Sequence, residues 1–280
     1  MFELSNVLVD RIVDAALAED LSAGDVTTEA CIDANATAVA HAVARDALVV
    51  CGGPVFARVF TRVDAATKVE LAATEGARVA AGAKMWTVRG RARSLLMAER
   101  VALNFAQRMC GIATTTRAFV DAVPVGKTTR IVDTRKTTPG LRVLERYAVR
   151  VGGGHNHRDH LGSAVLIKDN HVAACGGVAK AIARARAHAT HTSRVECEVD
   201  TLAQLDEALA AGADIVLLDN MDADTVREAV ARTKGRAILE ASGRITLARV
   251  TELANAGVDA ISVGALTHSI RAADIGLDFE

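Results

Sequence analysis

The residues best suited to chemistry are gathered between Thr129 and Val172, TRIVDTRKTTPGLRVLERYAVRVGGGHNHRDHLGSAVLIKDNHV. From Arg130 to Asp159 seven Lys or Arg stand against three acids, in a chain whose net charge is only -1. The cations follow apolar runs: Thr134, Arg135 and Lys136 come after Ile131-Val132, and Lys168 closes Ala164–Ile167. Arg158 follows Gly152–Gly154, where a backbone without side chains can approach a ligand closely. Arg135, Lys136, Arg158 and Lys168 on one mouth would bind a multiply anionic ligand, because guanidinium groups match carboxylate or phosphate oxygens in paired bonds. Further on, Glu198, Asp219 and Glu240 recur at spacings of 21 residues, each reading as a strand end. Acids beside such a pocket suit Mg2+ or sugar hydroxyls, a hard cation being held by one or two carboxylates plus substrate phosphates. Ser242-Gly243 and Gly264-Ala265 offer small residues and free amides for a phosphate.

Two other groups have competing readings. His155, His157 and His160 could hold a transition metal, but no histidines follow at later strand ends, and Asn156 and Arg158 among them suit an anion site better. Arg100, Asn104 and Arg108 stand at i, i+4 and i+8, one polar stripe on a helix whose other faces are apolar and whose plainest reading is a solvated face. Cys197, between Glu196 and Glu198, faces away from both on a strand and reads as a core thiol.

Positioning these residues requires a scaffold that repeats. Beyond Val123, apolar strands at Arg130–Asp133, Ala164–Ile167, Val195–Val199, Ile215–Leu218, Ala237–Leu239 and Ala260–Val263 alternate with helices at Val178–His188, Leu202–Ala211, Ala223–Thr233 and Thr246–Ala256. A further helix is expected to open at Thr138 as N-cap, with Pro139 in its first position and Leu141, Leu144 and Ala148 as its stripe. Alternation of this kind means parallel pairing. No G-x-G-x-x-G follows the first strand, and polar groups close almost every strand, which is the habit of a barrel rim. Some 160 residues remain from there on, too few for the ~250 of eight full units, so the barrel is expected to be incomplete. Before it, Ser5–Asp20 reads as an amphipathic helix, and Thr37–Val43, Leu48–Val50, Lys68–Leu71 and Met85–Val88 read as strands of a small sheet with a helix at Pro54–Val63. Ser94 is expected to cap a long helix running to about Val123.

With 280 residues, half of them apolar, the chain can bury a proper core. Near-neutral charge argues against a nucleic-acid surface. Five widely spaced cysteines suggest neither a disulfide framework nor a thiolate zinc site and point to the cytoplasm. Neither a signal peptide nor a membrane span is expected.

Taken together, GDVTTEA, ERVALNFAQRMCGIAT, DTRKTTPGLRVLERYAV, GGGHNHR, LIKDNH, ECEVD, LLDNM, LEASG and VGALTHS make the chain resemble the quinolinate phosphoribosyltransferases over nearly its whole length. Val101, Cys110, Cys197 and Arg244 depart from that family's commoner Thr, Ser, Val and Gly. The resemblance implies an N-terminal α/β sandwich domain over residues 1–110, onto which 269–280 can pack. It also implies an incomplete α/β barrel of seven strands or fewer over 111–268, of the type II phosphoribosyltransferase kind. It further implies transfer of phosphoribosyl from phosphoribosyl pyrophosphate to quinolinate with decarboxylation, in a homodimer. In that scheme Arg135, Lys136, His157, Arg158 and Lys168, beside Thr134, bind quinolinate, joined by Arg100 of the other subunit. Glu198 and Asp219 serve Mg2+ and the ribose, while Ser242, Gly243, Gly264 and Ala265 meet the phosphate. Lys136, Lys168, Glu198 and Asp219 are the expected catalytic set, and no organic cofactor is required. A molybdenum-transport-associated paralogue of the same fold, or a non-catalytic anion-binding module, are the alternatives.

Overall fold

The computed structural model describes residues 4–280. Helices α1 (Asn6–Leu21) and α2 (Val26–Cys31) lead into β1 (Thr37–Ala44), β2 (Leu48–Val49), α3 (Gly53–Val63), β3 (Lys68–Leu71), β4 (Arg78–Val79), β5 (Lys84–Arg91) and the long α4 (Ala92–Asp121). There follow β6 (Arg130–Val132), α5 (Arg142–Val151), β7 (Val165–Ile167), α6 (Asp169–Cys175), α7 (Val178–His188), β8 (Val195–Val199) and α8 (Leu202–Ala210). The chain continues through β9 (Ile215–Asp219), α9 (Ala223–Thr233), β10 (Ile238–Ser242), α10 (Leu247–Ala256), β11 (Ala260–Ser262), α11 (Ala265–His268) and β12 (Ile275–Phe279). It divides into two compact units. The first holds the residues up to Arg117 with Thr137–Gly153 and Leu266–Glu280, and the second holds Ala118–Lys136 and Gly154–Ala265. Among the described residues no helix is long and apolar enough to cross a membrane, and all five cysteines are free.

The first unit is built on an antiparallel sheet in the order β12-β1-β5-β3. Its last strand pairs Ile275 to Phe279 against Ala44 to Ala40 of β1. Trp86 on β5 packs against Phe56 of α3 with ring centroids 4.8 Å apart, and Phe56 lies 4.9 Å from Phe60. All three rings are almost fully buried. The start of α3 has no side-chain cap of its own. Glu75 substitutes for one by accepting from the amides of Gly52 and Gly53 at 3.0 and 2.9 Å, placing its charge where the helix dipole favours an anion. Tyr147 donates to the same carboxylate.

Two expected helix starts are displaced, each because another contact claims the capping residue. Ser94 lies inside α4 rather than capping it, and its hydroxyl donates to Asp64 at 3.0 Å. The Arg91 guanidinium, the Ala66 amide and this hydroxyl hold the Asp64 carboxyl down at about 2. Thr138 and Pro139 do not open α5. Gly140, at φ +83°, breaks the helical path, and residues 138–141 close a turn through Leu141 N–H to Thr138 O. Glu145, in the first turn of α5, reaches back to accept from the Thr138 amide. It also pairs with Arg108, whose guanidinium bonds Thr138 Oγ1 and Thr267 O as well. One member of the expected polar stripe on α4 is therefore turned into an ion pair with a carboxylate only 1% exposed.

The second unit carries the repeating part. Its six strands are all parallel, in the order β6-β11-β10-β9-β8-β7. Beyond β6 a single parallel bridge joins Val132 to His155. Among the described residues no ladder joins that side of the sheet to β7, so the expected incomplete barrel is open there. Thr201, Asp222 and Thr246 cap α8, α9 and α10 through their side-chain oxygens. Strand β10 runs to Ser242, three residues past the expected end, which places Glu240 inside the strand and 95% buried instead of at its tip.

Two substitutions test the packing of the first unit. A glycine-to-alanine change in an open helix normally gains about 1 kcal/mol. At Gly111 an added Cβ would lie 2.3 Å from the Arg271 carbonyl oxygen, so Gly111→Ala is expected to destabilise by about 1–3 kcal/mol instead, read by urea unfolding. Arg108→Leu strips a buried carboxylate of its counter-charge and is expected to cost about 3–5 kcal/mol, much of it recovered in the double variant Arg108→Leu/Glu145→Leu.

Candidate active site

Residues from the carboxyl ends of the second unit's strands form three connected groups. The first is organised by Asp133, immediately after β6 and fully buried. Its Oδ1 accepts from the His157 amide at 2.7 Å and its Oδ2 from Asn156 Nδ2 at 2.6 Å. The backbones of residues 133 and 131 bond that of His155. The glycine-rich segment is thereby laced to the strand that carries Thr134, Arg135 and Lys136. Burial, followed by repulsion from Arg135, depresses the Arg158 pKa, so two of the expected anion-binding cations are electrostatic neighbours. Arg158 Nη1 also donates to Ala164 O at 3.0 Å.

His157 points to the interior. Its Nδ1 accepts from the Arg158 amide at 2.7 Å, while its Nε2 stands 3.1 Å from Glu196 and 3.7 Å from Glu240. Burial disfavours protonating the ring, but the hydrogen bond to Glu196 and the charge of both carboxylates outweigh it and lift the pKa above the usual imidazole value. Burial, then repulsion from Glu196, pushes Glu240 up to about 7. These three side chains offer ligand atoms within 4.8 Å of one another. A metal on Nε2 would need that nitrogen's lone pair, yet with Nδ1 acting as acceptor the ring proton sits on Nε2. With the ring neutral, the cluster is a hydrogen-bonded assembly around the Nε2 proton. Of the three histidines that could have held a metal, only His157 joins it.

The second group is Lys168, whose Nζ lies 3.1 Å from Glu198 Oε2. Adjacent Cys197 faces the other side of β8 and is fully buried, with burial raising its thiol pKa to about 11. In the third group Asp219 accepts from Asn220 Nδ2 at 2.6 Å, and the Asn220 amide donates to Ser242 O. Asn220 and Arg244 have φ +54° and +48° around this turn. Gly243, at φ +94°, admits no side chain, since a Cβ would meet Asn220 Oδ1 at 2.2 Å. Strand pairing sets Asp219 beside Ser242 and places both Glu198 and Glu240 opposite Leu217. The 21-residue spacing therefore does not put the three carboxylates in one register. Gly264 and Ala265 follow β11, where the Val263 amide bonds Val132 O.

Arg100 is exposed on α4 in the first unit. It lines a cleft of about 960 Å³ formed by α1, α4 and residues 137–143. Asp133 and Glu196 were not among the expected site residues. The one available signal for Glu196 is its position two residues before Glu198, on the same face of β8.

The family models for the N-terminal and C-terminal domains of quinolinate phosphoribosyl transferase match residues 25–110 and 112–278. The nicotinate-nucleotide pyrophosphorylase (carboxylating) of Mycobacterium leprae is 47% identical over 94% of this chain and 94% of its own. A probable enzyme of the same name from Bacillus subtilis is 40% identical over 98% of this chain and 94% of its own. The crystal structure of NadC from Streptococcus pyogenes superposes with a TM-score of 0.95 at 42% identity, covering all of both chains. With matches of this extent to both domain models and to full-length relatives, the chain belongs to the quinolinate phosphoribosyltransferase family.

Proposed function

We propose that the chain transfers phosphoribosyl from phosphoribosyl pyrophosphate to quinolinate with loss of CO2, forming nicotinate mononucleotide and pyrophosphate for de novo NAD synthesis. The observation that carries this reading is the convergence of Arg135 and Arg158 at one end of a parallel sheet whose other strands end in Lys168–Glu198 and Asp219–Ser242. Cations suit a small dicarboxylate, and the carboxylates suit a ribose and its departing pyrophosphate. Thr134, Arg135, Lys136, Arg158 and Lys168 would take quinolinate, with His157, whose ring nitrogens are both engaged in the interior, supporting Arg158 rather than meeting the substrate directly. Ser242, Gly243, Gly264 and Ala265 would take the 5-phosphate on small residues and amides. The pyridine nitrogen attacks the anomeric carbon as pyrophosphate leaves, and Glu198 and Asp219 favour the positive charge that develops there. The positive pyridinium nitrogen then stabilises the electron pair left on C2 as the 2-carboxylate departs as CO2, and that carbon takes up a proton to complete nicotinate mononucleotide, with Lys136 and Lys168 supplying fixed positive charge. Glu198 and Asp219 are a pair of oxygen donors at strand ends, which fits Mg2+ shared with substrate phosphates. When bound, the ion would neutralise the leaving pyrophosphate. Exposed Arg100, within a cleft that already holds Arg11 and Arg108, supports a homodimer in which it serves the partner's site. Free thiols are in keeping with a cytoplasmic location.

The deciding assay supplies quinolinate, phosphoribosyl pyrophosphate and Mg2+ and measures nicotinate mononucleotide and CO2, expected in equal amounts. Nicotinate lacks one carboxylate, and a charged hydrogen bond is worth about 1.5–3 kcal/mol, so its kcat/KM should fall at least about tenfold. Equal kcat/KM for the two acids would remove the dicarboxylate pocket, and absence of product would remove the reaction itself.

Action of Arg100 across a dimer is tested by complementation. Arg100→Ala and Lys168→Ala proteins, each inactive, are unfolded together and refolded. If Arg100 works in trans, half the dimers are mixed and each has one intact site, restoring about a quarter of the sites. If mixed dimers form and activity stays at the level of the separate variants, Arg100 does not act in trans.

A further inference from the structure

The proposed reaction leaves unused the carboxylates inside β8 and β10. Glu196 and Glu240 are 4% and 5% exposed, and Oε1 of each has no hydrogen-bond partner. Burying a carboxylate costs several kcal/mol unless it is well compensated, and two that repel each other cost more. A fold that needed only packing here would be served by apolar residues. What the pair does hold is His157, with Glu196 Oε2 3.1 Å and Glu240 Oε1 3.7 Å from its Nε2. The opposite edge of the ring holds the backbone of Arg158 through Nδ1 at 2.7 Å. The Asp133 carboxylate fixes the amide of His157 itself. The imidazole is therefore a strut running from the interior of the sheet to Arg158, whose charge Arg135 repels.

We propose that Glu196, assisted by Glu240, is a positioning residue: it anchors the His157 imidazole and, through that ring, sets the Arg158 backbone so that the guanidinium meets a substrate carboxylate. This rests on the function proposed above for the identity of the carboxylate ligand. The geometry of the strut stands without it. Glu240, farther from Nε2, acts as the second wall of the socket. Gln at position 196 keeps an acceptor for the Nε2 proton, whereas Leu removes it.

The test compares Glu196→Leu, Glu196→Gln and Glu240→Leu with the wild type. For Glu196→Leu the KM for quinolinate is expected to rise at least about tenfold, as for loss of a charged hydrogen bond, with the KM for phosphoribosyl pyrophosphate unchanged within about twofold. Its melting temperature should change little, because loss of the acceptor for the His157 Nε2 proton is offset by relief of the repulsion between two buried carboxylates. Glu196→Gln should recover most of the quinolinate affinity, and Glu240→Leu should show a smaller rise in the same constant. Independently of any substrate, 15N-histidine NMR at a pH above the raised His157 pKa, where the ring is neutral, with a His157→Gln protein to assign the signal, should find His157 as the Nε2–H tautomer with Nδ1 accepting in wild type. That signature should be lost in Glu196→Leu. An unchanged quinolinate KM and an unchanged His157 signal in Glu196→Leu would overturn the proposal. So would a fall in activity that tracks a fall in melting temperature, or a loss affecting both substrates alike. Should Glu196→Leu not fold, Glu196→Ala carries the same expectations. If wild type fails to convert quinolinate while the NMR signature behaves as described, it is the proposed reaction that fails and the strut that survives.

Discussion

The mouth of the second unit depends on one buried carboxylate, that of Asp133, which binds an amide and a side-chain amide from a segment more than twenty residues further along the chain. Residues 155–157 make only one bridge to the sheet, too little to hold a glycine-rich segment by backbone pairing alone. Two charge-assisted bonds to a fully desolvated carboxylate supply what the ladder does not. With that segment held, Arg158 lies within the electrostatic reach of Arg135, and the His157 ring reaches the interior. The charge of Arg135 opposes that of Arg158. The scaffold bears that repulsion in advance, so a dianionic ligand meets charges already in place.

The architecture is largely legible because strands of a parallel sheet read as short apolar runs, as in β7, β9 and β11. Polar residues that look like punctuation are where the sequence misleads. Glu240 reads as a strand end because sequence gives no hint that a carboxylate will be enclosed, yet β10 continues through it to Ser242. Ser94 and Thr138 have the right chemistry for helix caps, yet Asp64 in one case and Arg108 with Glu145 in the other engage them through tertiary contacts. The two residues of β4 are too few to leave a period of two.

For the site, the residues at strand ends could be read because apolar-to-polar transitions mark where a parallel strand meets its loop. Their grouping could not. Equal spacing of Glu198, Asp219 and Glu240 suggested one ring of acids, but strand register pairs Asp219 with Ser242 and sets Glu240 among interior residues beside Glu196. Spacing along a sequence counts loop and helix residues too, and these vary without moving the strands. Arg108 shows the complementary limit, a cation of the expected polar stripe that folds back onto Glu145.

The pairing of β12 with β1 bears on how the chain is made. Residues 40–44 are synthesised early, but the strand that covers their open edge lies at 275–279. At about 5–20 residues per second a ribosome needs roughly ten to fifty seconds to travel between them. Throughout that interval β1 has an unpaired row of amides and carbonyls, the kind of edge that recruits strands from other chains. The first unit therefore reaches its final sheet only after the second has been synthesised, and ribosomes that stall late would release chains with that edge uncovered.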